Sequence, residues 1–287
     1  MSIFNPQPTN AWLLALFKNK VITDVIVAVN THLTADLFCV SLTINAGITL
    51  FTDNYRIYCL NSFLNNGTVS NVGAHGAVGT ALAFGAGGVN PANHTFRGGT
   101  VGGDGAINGA VGNNGGNQSV SYAGAGGAGG AGGAFAGGLG GTVSPHSTAI
   151  SYWSAQLFLY DINACRNSSL VQFRPGAGGG GGGSAVGAEG SGGGGAGGGA
   201  IAIVSNLFIN NGTILVTGGN GGNASPTSAL PAGGGGAGGG GCIFLAFLSG
   251  SAGVTDRSAG AIGNGAGGGN NGLNGADGFI ITQTQLP

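Results

Sequence analysis

Charge is what this sequence has least of. Only 5% of its 287 residues are charged, seven Lys or Arg against eight Asp or Glu, for a net charge of −1. So thin a supply of cations cannot build a stripe that holds phosphates, which excludes nucleic acid as a partner. It also leaves little like-charge repulsion between copies, so self-association is expected, with part of the surface covered between subunits. Paired cysteines are lacking too. Cys39, Cys59, Cys165 and Cys242 are far apart and form no CxxC, which excludes a structural zinc site. Cys39 and Cys59 lie in apolar runs and are expected to be buried, reduced thiols. No window is apolar for the length a membrane span needs, about 18 residues or more. The opening MSIFNPQPTNAWLLALFKNK has no basic leader before its apolar stretch, and Lys18 and Lys20 follow that stretch, so it is not expected to be a secretory signal.

Catalytic constellations are missing as well. The acids are Asp24, Asp36, Asp53, Asp104, Asp161, Glu189, Asp256 and Asp277. None are adjacent or at DxD or ExxD spacing, so the carboxylate pair of a glycan hydrolase is not signalled. GxGxxG recurs throughout but never in a strand–helix context, and no GxxxxGK[ST] occurs. His32, His75, His94 and His146 are scattered. The sequence therefore predicts no catalytic residue, no cofactor site and no metal site, and a chain that is not an enzyme.

What it has in abundance is glycine, 68 residues, against a usual level of roughly 7%. Glycine loses the most freedom on folding, yet the mean hydropathy of +0.30 and the low charge argue against a disordered chain. The glycine-rich segments 124–141, 176–199, 232–241 and 265–272 alternate with strand-like runs such as AIAIV and CIFLAFL. In LFCVSLTIN, Phe38, Val40, Leu42 and Ile44 alternate with Cys39, Ser41, Thr43 and Asn45, the period of a half-buried strand. Asn/Gly corners separate it from ITLFT, YRIYCL and TVSNV. LNNGTVSNVGAHG (64–76) aligns without gaps to INNGTILVTGGNG (209–221), with a weaker echo at 159–179. The pattern predicts a recurring strand–turn–strand unit that exits into glycine.

Strict G-x-y with abundant Pro is absent, which excludes collagen, and helix propensity excludes α-helices through the glycine runs. The remaining ordered form is an extended helix of the polyproline II type, packed side by side so that neighbours satisfy one another's backbone. Mobile spacers between strands are the alternative. The expected fold is all-β: β-solenoid or sandwich-like strand modules interleaved with a bundle of polyglycine-II-like helices, Ala and Ser interruptions facing outward or at loop tips, and no α-helix beyond a short N-terminal one capped by Asn10. Four segments follow: an attachment segment 1–30, with Trp12, Leu13, Leu14 and Phe17 as its contacts; a strand module 31–76; a glycine-rich region with exposed loops 77–150; and a strand and polyglycine module 151–287. Candidate binding residues are those that break the bland background: His94, Phe96 and Arg97 in NHTFR, then His146, Tyr152 and Trp153, and Glu189 inside a glycine run. Their loops are 93–97, 144–153, 184–191 and 223–230.

LTINAGITL, YRIYCLNSFLNNGTVSN and GGGAGGGAIAIVSNLFINNGTILVTGGNGG, over residues 37–76 and 176–223, resemble glycine-rich virion proteins of tailed bacteriophages. The resemblance implies a non-catalytic fibre or spike component for host attachment, assembled in the host cytoplasm. It implies a homotrimer joined to other virion proteins through its N-terminal segment, with a host cell-surface glycan or protein as partner. A capsid decoration protein without a receptor is the alternative. An ice-binding protein built from extended glycine helices is a third reading, weakened by the lack of a regular TxT ladder.

Overall fold

In the computed structural model the described residues are 22–89, 99–121, 124–145 and 175–284. Thirteen strands follow one another: β1 Val25–Val27, β2 Thr31–His32, β3 Leu37–Ile44, β4 Thr49–Phe51, β5 Arg56–Asn65, β6 Thr68–Ser70, β7 Gln118–Ser121, β8 Val143–Pro145, β9 Ala200–Asn210, β10 Thr213–Leu215, β11 Cys242–Ser251, β12 Val254–Asp256 and β13 Phe279–Gln283. The larger sheet has the order β1-β3-β5-β9-β11-β13, and the smaller β12-β10-β6-β4-β2. Every pair in both is parallel. The chain lays a strand in the larger sheet, turns at an Asn/Gly corner, lays a short strand in the smaller one, and repeats.

That repetition is the internal echo of the sequence. Leu64 pairs with Ile209 and Asn65 with Asn210 in the larger sheet, and Thr68 with Thr213 in the smaller. The gapless alignment is thus the register of the stack. Its corners lock side by side: Asn65 Nδ2 donates to Asn210 Oδ1 at 2.7 Å across 145 residues, and Asn210 Nδ2 donates to the carbonyls of Ala252 and Val254. Between the sheets lies one apolar core that includes Leu42, Ile44, Leu50, Ile57, Val69, Ile201, Ile203, Ile214, Ile243 and Leu245. Phe63, Phe208 and Phe247 stack within it, at 4.9 and 5.2 Å between neighbouring rings. Arg56, 2% exposed, is held by Asp36, whose Oδ2 accepts from Nη2 at 2.6 Å.

The simple alternation expected in β3 does not hold. A bulge between Cys39 and Ser41 shifts the register, so Cys39, Leu42 and Ile44 enter the core while Phe38 packs on the opposite face against Tyr58. Cys39 and Cys59 are register partners, fully buried and unoxidised, with their sulfurs 3.5 Å apart.

The expected solenoid with polyglycine-II-like helices is corrected here. The fold is all-β, but it is two parallel sheets in a sandwich-like arrangement, and no helix occurs among the described residues. The glycine stretches carry almost no regular secondary structure. They run extended and donate sideways at every third residue: Gly124 to Gly240, Gly127 to Ala237 and Gly130 to Gly234 on one flank, with Ala177, Gly180 and Gly183 donating to Gly124, Gly127 and Gly130 on another. Stretches 176–183, 190–198 and 233–240 lie innermost and are buried throughout. Ala177, Ala196, Ala237 and Ser191 are buried within them, not turned outward as expected. Ala196 donates to Ala74 O like its glycine neighbours, because the ladder uses only the backbone, which alanine shares.

The resemblance to phage virion proteins is corrected by the same observations. The described residues form a compact unit on two interleaved parallel sheets, unlike an elongated fibrous tail protein. A buried asparagine network and a stacked aromatic cluster fit a folded functional domain better than a purely structural fibre or decoration protein. The fibre, spike, decoration and ice-binding readings therefore fall.

Candidate functional site

The glycine stretches leave the sheets at one end and turn back at the other. Their turns there are joined by a row of bridges, Ala110 to Ser184, Ser184 to Ala232 and Ala232 to Ala266. This far end, the apex, is built from backbone conformations that few residues adopt. Asn108, Gly109, Gly133, Gly187, Gly267 and Gly268 all have positive φ. At Gly187 a φ of 75° turns the chain between two innermost stretches, and its amide donates to Asn108 Oδ1 at 2.9 Å.

Glu189 sits on this turn. Thr227 Oγ1 donates to its Oε2 at 2.7 Å, and the Ser225 hydroxyl donates to the same oxygen. Ser228 Oγ accepts from Glu189 N at 3.3 Å and donates to Leu230 O at 2.7 Å. Ser225 N in turn donates to Gly190 O, and Ala185 N to Pro231 O, both at 2.9 Å. The two turns 184–191 and 223–230, separate in sequence, are thus one unit. Ser225 and Ser228 are buried, while Thr227 is exposed. The Ser225 and Thr227 hydroxyls hold the Glu189 carboxyl below its ordinary value. It therefore stays ionised and is a weak base, suited to accepting hydrogen bonds more than to moving protons. Among the described residues none donates to its Oε1. Beside it, Val186 is 68% exposed and Leu230 45%. Leu230 Cδ1 lies 3.3 Å from where a Cβ on Gly187 would stand.

The sequence singled out Glu189 because it interrupts glycine. It gave no sign that Ser225, Thr227 and Ser228 would surround it, because nothing local links positions so far apart. His94, Phe96, Arg97, His146, Tyr152 and Trp153 lie outside the described residues, as do Trp12, Leu13, Leu14 and Phe17 and the expected N-terminal helix. His32 Nδ1 and Asp53 Oδ2 are 2.7 Å apart, and the His32 ring stacks on Phe51 at 4.2 Å, but this pair lies at the sheet end, not the apex. Among the described residues no cluster of His, Cys, Asp and Glu is arranged to hold a metal ion, and no helix is long and apolar enough to cross a membrane.

The expected exclusion of catalysis is also corrected. It drew on missing sequence motifs, whereas the chain folds as a compact parallel-sheet domain, an architecture that does not itself mark a non-catalytic structural protein. No family model, curated protein or solved structure matches this chain.

Proposed function

We propose that the chain is a ligand-recognition domain whose apex is its binding face. The observation that carries this is the Glu189 unit: an ionised carboxylate, oriented by two hydroxyls, with apolar side chains exposed beside it. Binding sites are most precise when their groups are held by packing and hydrogen bonds on a rigid support. Here the support is the buried glycine stretches, bonded to neighbours on several flanks. Exposed apolar groups next to fixed polar ones are the usual make-up of a recognition surface. A glycan or a protein presented by another molecule is the class of partner this face suits, with self-association leaving the apex free.

The test is selection from a displayed peptide library and a glycan microarray, followed by affinity measurement on apical variants. Ligands retained by the native chain should bind at least tenfold more weakly to L230D and to E189A, and unchanged to H32A at the opposite end. Ligands that bind all three variants equally, or none retained at all, would sink the reading.

A further inference from the structure

The geometry points to a specific chemistry at the apex: Glu189 receives a protonated primary amine, with its carbon stem laid on Val186 and Leu230. The inference rests on the reading of the apex as a binding face and names its ligand class.

Three observations carry it. The first is the asymmetry of the carboxylate. Both hydroxyl donors, Ser225 and Thr227, converge on Oε2. A guanidinium needs both carboxylate oxygens for its parallel pair of bonds, and here one of them is already engaged twice. A compact ammonium needs only one oxygen and approaches as a point charge. The second is the acceptor beside it. Thr227 Oγ1 gives its proton to Glu189 and keeps lone pairs at an exposed position. An ammonium at Oε1 therefore has a second acceptor in reach of its remaining protons.

The third is charge. The arginines among the described residues are Arg56 and Arg257, no lysine is among them, and the described histidines, His32 and His75, bond to Asp53 and to Asn220 N. Arg56 is committed to Asp36, and Arg257 Nε donates to Gly278 O at 3.1 Å, both next to the sheets. The Glu189 carboxylate thus has no cationic neighbour among the described residues of the apex. Charge complementarity selects a cation, and the exposed Val186 and Leu230 select one with an aliphatic stem, as a lysine side chain has.

The experiment is an amide-resolved NMR titration of the full chain with blocked single amino acids. The probes are Nα-acetyl-lysine N-methylamide, its Nε-acetylated form, and the arginine analogue. The lysine probe should give saturable shifts at the amides of Gly187, Glu189, Ser225, Thr227 and Ser228. The Nε-acetylated probe should bind at least tenfold more weakly, and the arginine probe at least threefold more weakly. E189Q, which keeps an oxygen for both hydroxyls and so keeps the fold, should lose the response to lysine by at least tenfold. Equal shifts from the acetylated probe, an unaltered response in E189Q, or no saturable shift from lysine would each overturn the inference. The two readings fail separately. Library ligands that lack an amine and lose affinity in L230D but not E189Q would keep the binding face and discard the amine. No retained library ligand together with no saturable shift from lysine would discard the binding face itself.

Discussion

At the scale of single residues, the molecule depends on where a Cβ is forbidden. A Cβ on Gly194 would fall well inside contact distance of the Gly179 carbonyl, a backbone atom that cannot step aside. Gly194→Ala should therefore cost about 3 kcal/mol or more, at the upper end of overpacking penalties. Gly268 has open space around it but a φ of 86°, so Gly268→Ala should cost only the left-handed penalty, about 1–2 kcal/mol. Denaturant unfolding of the two variants distinguishes crowding from backbone strain, and equal costs would contradict the packing described. Thiol chemistry offers a second check. Burial, and for Cys59 the adjacent Cys39, pushes the Cys59 thiol well above its ordinary value, and burial alone does the same for Cys242. In a C165S background, Ellman's reagent at pH 8 should find no reactive thiol until denaturant is added. Glu189 gives a third. Its folded-state pKa lies below the ordinary value of 4.5. Its contribution to stability is therefore complete above that value and fades as pH falls through the lowered one. The native chain should thus outlast E189Q at pH 7, and the gap in unfolding midpoint should close in acid, as pH falls from the ordinary value through the lowered one. A gap that widened in acid would have the wrong sign.

At the scale of elements, the recurring strand–turn–strand unit was readable because it repeats in the sequence, but its parallel pairing across two sheets was not. NNGT at 65–68 and at 210–213 sit one above the other, and the aligned strands pair residue for residue. The positions of β3, β5, β9, β11 and β13 follow from apolar runs bounded by Asn, Gly or glycine stretches. What was not readable was the facing within β3, because a bulge depends on the partner strand rather than on its own alternation. Nor was the joining of the 184–191 and 223–230 turns, which requires knowing which glycine stretches are neighbours, and glycine carries no side-chain pattern to say so. The corner asparagines are a test of the stack itself. Asn210 accepts from Asn65 and donates to two carbonyls of the next turn. Asn210→Ala removes three hydrogen bonds at a part-buried corner, while Asn65 Nδ2 keeps its bond to Thr213 O; the loss should cost about 1–2 kcal/mol. Calorimetry should show that loss with a single transition retained. A neutral outcome would mean that the corners do not hold the stack.

At the scale of the whole molecule, sheets and glycine stretches divide the work. The two sheets bury the large side chains, while the stretches hold one another by backbone alone and carry the apical turns away from that core. Strand runs interleaved with polyglycine resembled a fibre protein because such a pattern says nothing of how segments neighbour one another. The topology, with each strand of one sheet leading into the other, gives a closed, compact domain instead. Everything claimed for the apex requires the stretches beneath it to be as fixed as the strands. The most direct measurement is amide hydrogen exchange, residue by residue, through Gly176–Gly198 and through β9 and β11. Protection in the glycine stretch approaching that of the strands, with the Gly187–Gly190 turn slowed along with it, is the predicted result. Exchange through Gly176–Gly198 at the rate of an unstructured chain would contradict it, and would leave Glu189 with no fixed geometry to recognise anything.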